Sequence, residues 1–146
     1  MPLLLPKHLM QKINAYLEET YPEEGCGFLL GYLENNAYIL KGIYPVPNVW
    51  EKKEERGRRY SIAPEDFLKA EKEAQRQDLL LIGIYHSHPD YPPSLSEFDK
   101  ANSWPDFIYL IVSLYRGKAQ EAKAYLFNSH GEFREIAIQI TEEVKQ

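Results

Sequence analysis

The apolar run at residues 79–85 constrains the fold of this chain more than any other segment. It is short, rich in leucine and isoleucine and bounded by turn signals, which predicts a buried strand. His86 and His88 follow directly, separated by Ser87. Since alternate residues of a strand share a face, the two imidazoles point the same way and Ser87 points the other way. Two imidazoles that leave the end of a core strand together form half of a zinc site. Asp99 is available as the third ligand, with water in the fourth place.

This segment resembles the JAMM signature of the MPN-plus metalloproteases. That pattern is His-x-His-Pro, a serine eight residues after the second histidine, and an aspartate three residues further on. It also includes an upstream glutamate, usually in a Glu-x-Cys-Gly context. The residues that carry the resemblance here are Glu24, in Glu-Gly-Cys-Gly, and then His86, His88, Ser96 and Asp99.

The resemblance implies a fold and a chemistry. The fold would be a mixed, curved β-sheet flanked by helices, as in the MPN and cytidine-deaminase-like architectures, with the site at one sheet edge. Zn²⁺ would be held by His86, His88 and Asp99. Glu24 would act as the general base, and the Ser96 hydroxyl would stabilise the oxyanion.

The resemblance also implies a substrate. Family members cut peptide or isopeptide bonds after the C-terminal tail of ubiquitin or a ubiquitin-like protein. This chain lacks the long insertions of the eukaryotic deubiquitinases and looks like the compact bacterial and archaeal members. The expected activity is therefore hydrolysis of the amide bond after the C-terminal diglycine of a ubiquitin-like protein of the small sulfur-carrier type. The alternative is a non-catalytic, zinc-containing MPN scaffold or binding module.

Each part of the motif also has an ordinary structural interpretation. A His-x-His at a strand end is often a pair of surface histidines. Ser96 and Asp99 form a capping box that starts a helix at residue 97. Glu23 stays open as the base, because only the spacing to Cys26 favours Glu24. Cys26 is a small residue packed in a strand, or else a nucleophile with a histidine base.

Composition narrows the class of protein. The chain has 146 residues, which predicts one domain over 1–146, and its net charge of −5 argues against a nucleic-acid partner. Cys26 is the only cysteine, so no internal disulfide forms and a reducing cytoplasm is the expected location. No apolar run approaches ~20 residues, so no membrane span is expected. The charged segment 51–59 is either a solvated loop or a docking patch for an acidic partner.

The pattern of apolar residues predicts a single α/β unit. Two main helices are expected over 6–20 and 64–77, with a short one over 97–103. Turns are expected at 34–36 and 116–117. The predicted strands cover 26–33, 37–46, 60–62, 79–86, 107–115, 121–127 and 133–140.

Overall fold

The computed structural model of the protein describes residues 1–142 and contains one sheet with helices packed against it. The helices are α1 (Lys7–Thr20), α2 (Pro64–Arg76) and α3 (Glu97–Ala101), with one 3-10 turn at Lys53–Glu55. The strands are β1 (Leu3–Pro6), β2 (Cys26–Glu34), β3 (Ala37–Val46), β4 (Leu80–Pro89), β5 (Ile108–Tyr115), β6 (Lys118–Phe127), β7 (Phe133–Ile136) and β8 (Ile138–Thr141). Within residues 1–142, no helix is long and apolar enough to cross a membrane.

The sheet is mixed, and its order is β7-β6-β5-β4-β2-β3-β1-β8. β4 pairs antiparallel with β2 on one side and parallel with β5 on the other. The predicted fold class, an α/β domain with a mixed sheet flanked by helices, is confirmed. Because β4 is an interior strand, however, its histidines do not lie at an edge of the sheet as the resemblance implies.

Helices cover both faces of the sheet. α1 buries Leu9, Ile13 and Leu17, which are four residues apart and so lie on one side of the helix. Fully burying each such side chain contributes about 1.5–3 kcal/mol, and Ile13→Ala would cost about 2–5 kcal/mol. α2 covers the other face through Ala70 and Ala74, whose small side chains let the helix approach the strands closely.

Two tight turns follow the prediction. Asn35 and Asn36 join β2 to β3 with φ of 51° and 60°, and Arg116 and Gly117 join β5 to β6 with φ of 54° and 83°. Two consecutive positive φ values define the two-residue turn whose twist matches that of the flanking strands. Both predicted hairpins are therefore confirmed.

Other predictions about the elements are wrong in part. Residues 60–62 form no strand, because Tyr60 packs its ring on His86 instead of joining a ladder. Residues 133–140 form two strands: β7 pairs with β6, and β8 pairs with β1 at the opposite edge. The chain crosses from one edge to the other over Ala137 alone, which requires a strongly curled sheet. β1 was not predicted, and β4 continues three residues beyond the predicted end, to Pro89.

Candidate metal centre

The pairing of β2 with β4 brings together two segments that are distant in sequence. Cys26 lies opposite His86 in the antiparallel ladder. Just beyond it, the Gly25 amide donates to Ser87 Oγ at 2.9 Å, and the Ser87 amide donates to the Gly25 carbonyl at 3.1 Å. Ser87 faces away from the two histidines and binds the start of β2. Glu24 is therefore held next to the end of β4 that carries the imidazoles.

α3 presents Asp99 to the same place. Ser96 Oγ accepts a hydrogen bond from the Asp99 amide, and the Ser96 amide donates to Asp99 Oδ2, both at 3.0 Å. This is the predicted capping box, and it satisfies amides that the first turn of a helix leaves free. The cap also fixes the carboxylate of Asp99, whose side chain is buried.

His86, His88 and Asp99 converge into one buried group, which we call the His-His-Asp cluster. His86 Nε2 lies 3.2 Å from Asp99 Oδ1, and His88 Nε2 lies 3.1 Å from Asp99 Oδ2. One donor atom from each residue lies within 4.8 Å of the other two. His86 Nε2 is close to the carboxylate but lacks hydrogen-bond geometry, and neither nitrogen of that ring has a hydrogen-bond partner within residues 1–142. Leaving buried polar atoms unpaired is costly, so the cluster is compatible with a metal ion held between two imidazoles and a carboxylate.

The surroundings fix the orientation of both rings. His88 Nδ1 lies 2.7 Å from the carbonyl of Pro92, so Nδ1 carries the proton and donates, and the Nε2 lone pair faces the cluster. Tyr91 stacks on His88 with ring centroids 4.1 Å apart and planes at 15°. Tyr60 stacks on His86 at 4.6 Å and 27°. Both imidazoles are therefore held in fixed orientations beside Asp99.

The charge states of the cluster suit metal binding. Burial lowers the pKa of His86 despite the nearby Asp99 carboxylate, which favours the neutral ring that metals require. Burial by itself would raise the pKa of Asp99. The two histidines and the Ser96 amide outweigh this effect and hold that pKa well below its usual range. Asp99 is therefore ionised.

Glu24 is a buried carboxyl group beside the cluster, with only 1% of its surface exposed. Burial raises its pKa to about 8, although the hydroxyl of Tyr91 donates to Glu24 Oε2 and the charge of Arg59 also acts to lower it. Glu24 Oε1 has no hydrogen-bond partner among the described residues. Glu23, the alternative base, is only half-buried, and its amide donates to the Thr20 carbonyl.

Cys26 is fully buried in β2. Burial raises the pKa of its thiol well above the usual value, so the reactive thiolate is disfavoured. Its sulfur lies 3.7 Å from the Val46 carbonyl in the neighbouring strand. This environment supports the packing interpretation of Cys26 over the nucleophilic one.

The segment from Asn48 to Ser61 contributes residues that sequence reasoning missed. Asn48 Nδ2 donates to the carbonyls of Glu24 and Arg59, both at 3.0 Å, and its Oδ1 accepts from the amides of Trp50 and Ser61. One side chain thus ties this loop to Glu24. The only sequence signal was an asparagine after a proline, which is typical of many turns.

The charged segment 51–59 is not simply a solvated loop. Trp50 Nε1 donates to Glu55 Oε1 at 2.9 Å, and Arg59 lies over the rings of Trp50 and Phe98. Residues of this segment and of the α3 region line a cleft, which we call the arginine cleft. Its lining residues are Arg58, Arg59, Tyr91, Ser96 and Phe98.

Comparisons with known proteins agree with this geometry. A family model described as prokaryotic homologs of the JAB domain matches residues 6–128. A desampylase of Pyrococcus furiosus is 30% identical over 93% of this chain and 89% of its own length. A probable TtuB-protein conjugate cleaving protease of Thermus thermophilus is 34% identical over 62% of this chain and 55% of its own. The solution structure of a Desulfitobacterium hafniense protein has a TM-score of 0.83 at 28% identity, covering 98% of this chain and 95% of that one.

Proposed function

This chain belongs to the family of prokaryotic JAB-domain proteins and is a hydrolase of the JAMM type, and from that premise we propose that it is zinc-dependent and cuts after a C-terminal diglycine. The substrate would be a ubiquitin-like protein of the small sulfur-carrier type, joined through its last glycine to a peptide, an amino acid or a lysine side chain. The observation that carries the proposal is the buried His-His-Asp cluster beside a buried glutamate with one open oxygen.

We assign the metal to His86, His88 and Asp99. Two nitrogens and one carboxylate oxygen match the ligand set of catalytic zinc, which keeps a fourth position for water. When bound, zinc would polarise the scissile carbonyl and lower the pKa of a water molecule toward ~7. The protein's part is to hold these ligands in place, through the Pro92 carbonyl behind His88 and the Ser96 amide behind Asp99.

We assign the general base to Glu24. Its Oε1 is open to take the proton of the attacking water, and Tyr91 holds its Oε2. A base with a pKa close to neutral accepts and returns protons efficiently. The hydroxide formed from that water then adds to the carbonyl carbon of the last glycine. The carbon–nitrogen bond breaks, and Glu24 passes the proton to the leaving amine.

We assign oxyanion stabilisation to Ser96. Its Oγ already accepts a hydrogen bond from the Asp99 amide, so the hydroxyl hydrogen is available to donate elsewhere. Ser96 also lines the arginine cleft and is therefore accessible to a substrate. A preorganised donor aimed at the developing negative charge is the usual way to stabilise a tetrahedral intermediate.

The substrate class draws support from two sources. The relatives named above are a desampylase and a probable TtuB-protein conjugate cleaving protease, and the second is named for cleaving a protein conjugate. A tail that ends in two glycines also allows the backbone to approach a buried centre closely, because no Cβ intervenes. We take residues 1–146 to form one domain. A cytoplasmic location fits this domain, since its single cysteine is buried and forms no disulfide.

The test is cleavage of a sulfur-carrier fusion with a C-terminal extension after the diglycine, followed by mass spectrometry with and without a chelator. Glu24→Gln should keep zinc and lose about 10²–10⁴-fold in rate, as expected for removal of a general base. Glu23→Gln is the matched control and should lose much less. Cleavage that persists after zinc removal, or equal cleavage of an unfolded casein-like protein, would contradict the proposal. A folded, zinc-loaded protein with no turnover would instead identify a binding module.

A further inference from the structure

The arginine cleft extends from the candidate active site toward two positive charges. Ser96 in its wall caps the helix that carries Asp99, and Tyr91 in its wall donates to Glu24. Arg58 and Arg59, from the loop before α2, line the same cleft. A substrate bound at the His-His-Asp cluster would therefore have these two guanidinium groups close to its scissile bond.

Arg59 lies over two aromatic rings and makes one long ion pair, with Glu55. Its Cζ lies 4.9 Å from the ring centroid of Phe98 and 5.7 Å from that of Trp50. The nearest carboxylate, Glu55, is 3.9 Å from Arg59 Nε, beyond hydrogen-bond distance, and it already accepts from Trp50 Nε1. A stacked guanidinium keeps its in-plane N–H donors available, and 38% of the Arg59 side chain is exposed.

The loop that carries Arg59 is itself ordered. Asn48 Nδ2 donates to the Arg59 carbonyl, and Arg56 Nε donates to the Trp50 carbonyl at 2.7 Å. The Arg56 carbonyl accepts from the Glu24 amide at 2.6 Å. The arginines are thus presented by a segment fixed to the base itself. A rigid guanidinium loses less entropy on binding an anion than one on a mobile loop.

The charge of these arginines acts on the candidate active site. The field of Arg59 favours the ionised form of Glu24, and Arg58 acts in the same direction on the hydroxyl of Tyr91. The chain as a whole is acidic, with a net charge of −5, so this local positive charge is not a general property of the surface. Guanidinium groups with free donors match a carboxylate, which they bind through paired hydrogen bonds.

We propose that Arg58 and Arg59 form a subsite for a carboxylate on the leaving group of the hydrolysed bond. The inference rests on the proposed function, because the acyl side of that bond ends in two uncharged glycines and only the leaving side brings a carboxylate this close. The carboxylate is either the free C-terminus of a single-residue leaving group or the side chain of an acidic first residue. A lysine side chain brings neither, so the enzyme favours linear C-terminal extensions over isopeptide conjugates.

The test measures binding separately from turnover. A ubiquitin-like protein is extended after its diglycine by one alanine with a free carboxylate, by one alanine with an amide cap, or by one amide-capped aspartate. Each is titrated calorimetrically into zinc-loaded full-length protein carrying Glu24→Gln, so that no ligand is consumed. Arg59→Gln and Arg58→Gln are compared with Lys53→Gln, a matched change on the same loop outside the cleft.

The free alanine carboxylate should bind about tenfold more tightly than the amide-capped form, as expected for a hydrogen bond to a charged group. Arg59→Gln should bring this ratio close to one, Arg58→Gln should reduce it, and Lys53→Gln should leave it unchanged. Tight binding of the capped aspartate would assign the subsite to a side-chain carboxylate, and weak binding would assign it to the C-terminus.

Two results would overturn the subsite. One is equal binding of the free alanine, capped alanine and capped aspartate forms by the protein with both arginines intact. The other is a tenfold preference that survives in both arginine variants, since the carboxylate would then bind elsewhere, for example at the metal. Thermal melting checks that Arg59→Gln folds, and Arg58, whose side chain is exposed, provides a second variant. Cleavage by protein with Glu24 intact is assayed separately. Carboxylate preference without cleavage would refute the proposed function and leave the subsite standing.

Discussion

Replacing Tyr91 with phenylalanine isolates one interaction at the base. The hydroxyl of Tyr91 donates to Glu24 Oε2, whereas its ring stacks on His88. Tyr91→Phe therefore keeps the stacking and removes the hydrogen bond. That bond favours the ionised carboxylate, so its loss raises the pKa of Glu24, which burial has already raised to about 8. A hydrogen bond to a charged group is worth about 1.5–3 kcal/mol, which corresponds to about 1–2 pKa units.

The sign of the effect on activity follows directly. A general base works when ionised, so the acidic limb of the kcat/KM profile should move to higher pH by about 1–2 units in Tyr91→Phe. At a pH below the Glu24 pKa of both proteins, kcat/KM of the variant should be about 10–100-fold lower than that of the parent. Well above both pKa values, the two should have similar kcat/KM. Charges common to the two proteins, including that of the metal, cancel in this comparison.

The assay is the pH dependence of kcat/KM on the carrier fusion, with zinc content measured at each pH. Tyr32→Phe is the matched control, because Tyr32 lies near the far end of β2 from Glu24. A loss of rate by the same factor at every pH would refute the reasoning, since it would show that the hydroxyl does not act through the ionisation of Glu24. An unchanged profile would refute it as well.

Three further outcomes are expected. His88→Ala and Asp99→Ala should each lose most of the bound zinc in metal analysis, whereas Ser113→Ala, in the neighbouring strand and level with His88, should retain it; full occupancy in both cluster variants would contradict the ligand assignment. Ser96→Ala should keep most of the zinc but lower kcat by about 10²–10³-fold in steady-state assays, and an unchanged kcat would remove its oxyanion role. In the metal-free protein, Glu24→Gln should raise Tm, and this gain in Tm should grow between pH 4.5 and pH 8. The reason is that a buried carboxyl whose folded-state pKa exceeds its usual value destabilises the folded protein increasingly as the pH rises through that window. A gain in Tm that does not vary with pH would contradict the burial argument.

Local pattern was sufficient for much of the fold. The same-face placement of His86 and His88 follows from strand periodicity, and the cap that Ser96 forms over Asp99 follows from a four-residue motif. Both depend on neighbours in sequence. The tight turn at Asn35 is likewise a property of a few adjacent residues.

Contacts between distant segments could not be predicted in this way. Tyr91 and Glu24 are 67 residues apart, and Asn48 binds Glu24 across 24 residues. Nothing in either local sequence marks these pairs. Tyrosine is common in strands, yet Tyr60 packs against the flat face of the His86 ring and joins no strand. The alternation of apolar and polar residues continues across Ala137. Only the pairing of the two flanking strands shows that the chain passes from one edge of the sheet to the other there.

The position of β1 has a consequence for how the protein folds. β1 lies between β3 and β8, and Leu3 pairs with Ile138, almost the whole described length away. Contacts of such high sequence separation close large loops, and they slow folding because the entropy of closure is lost before the contacts are gained. During synthesis, β1 has no partner on its β8 side until residues 138–141 have left the ribosome. We therefore expect β1 and β8 to dock late and together, as the step that completes the sheet.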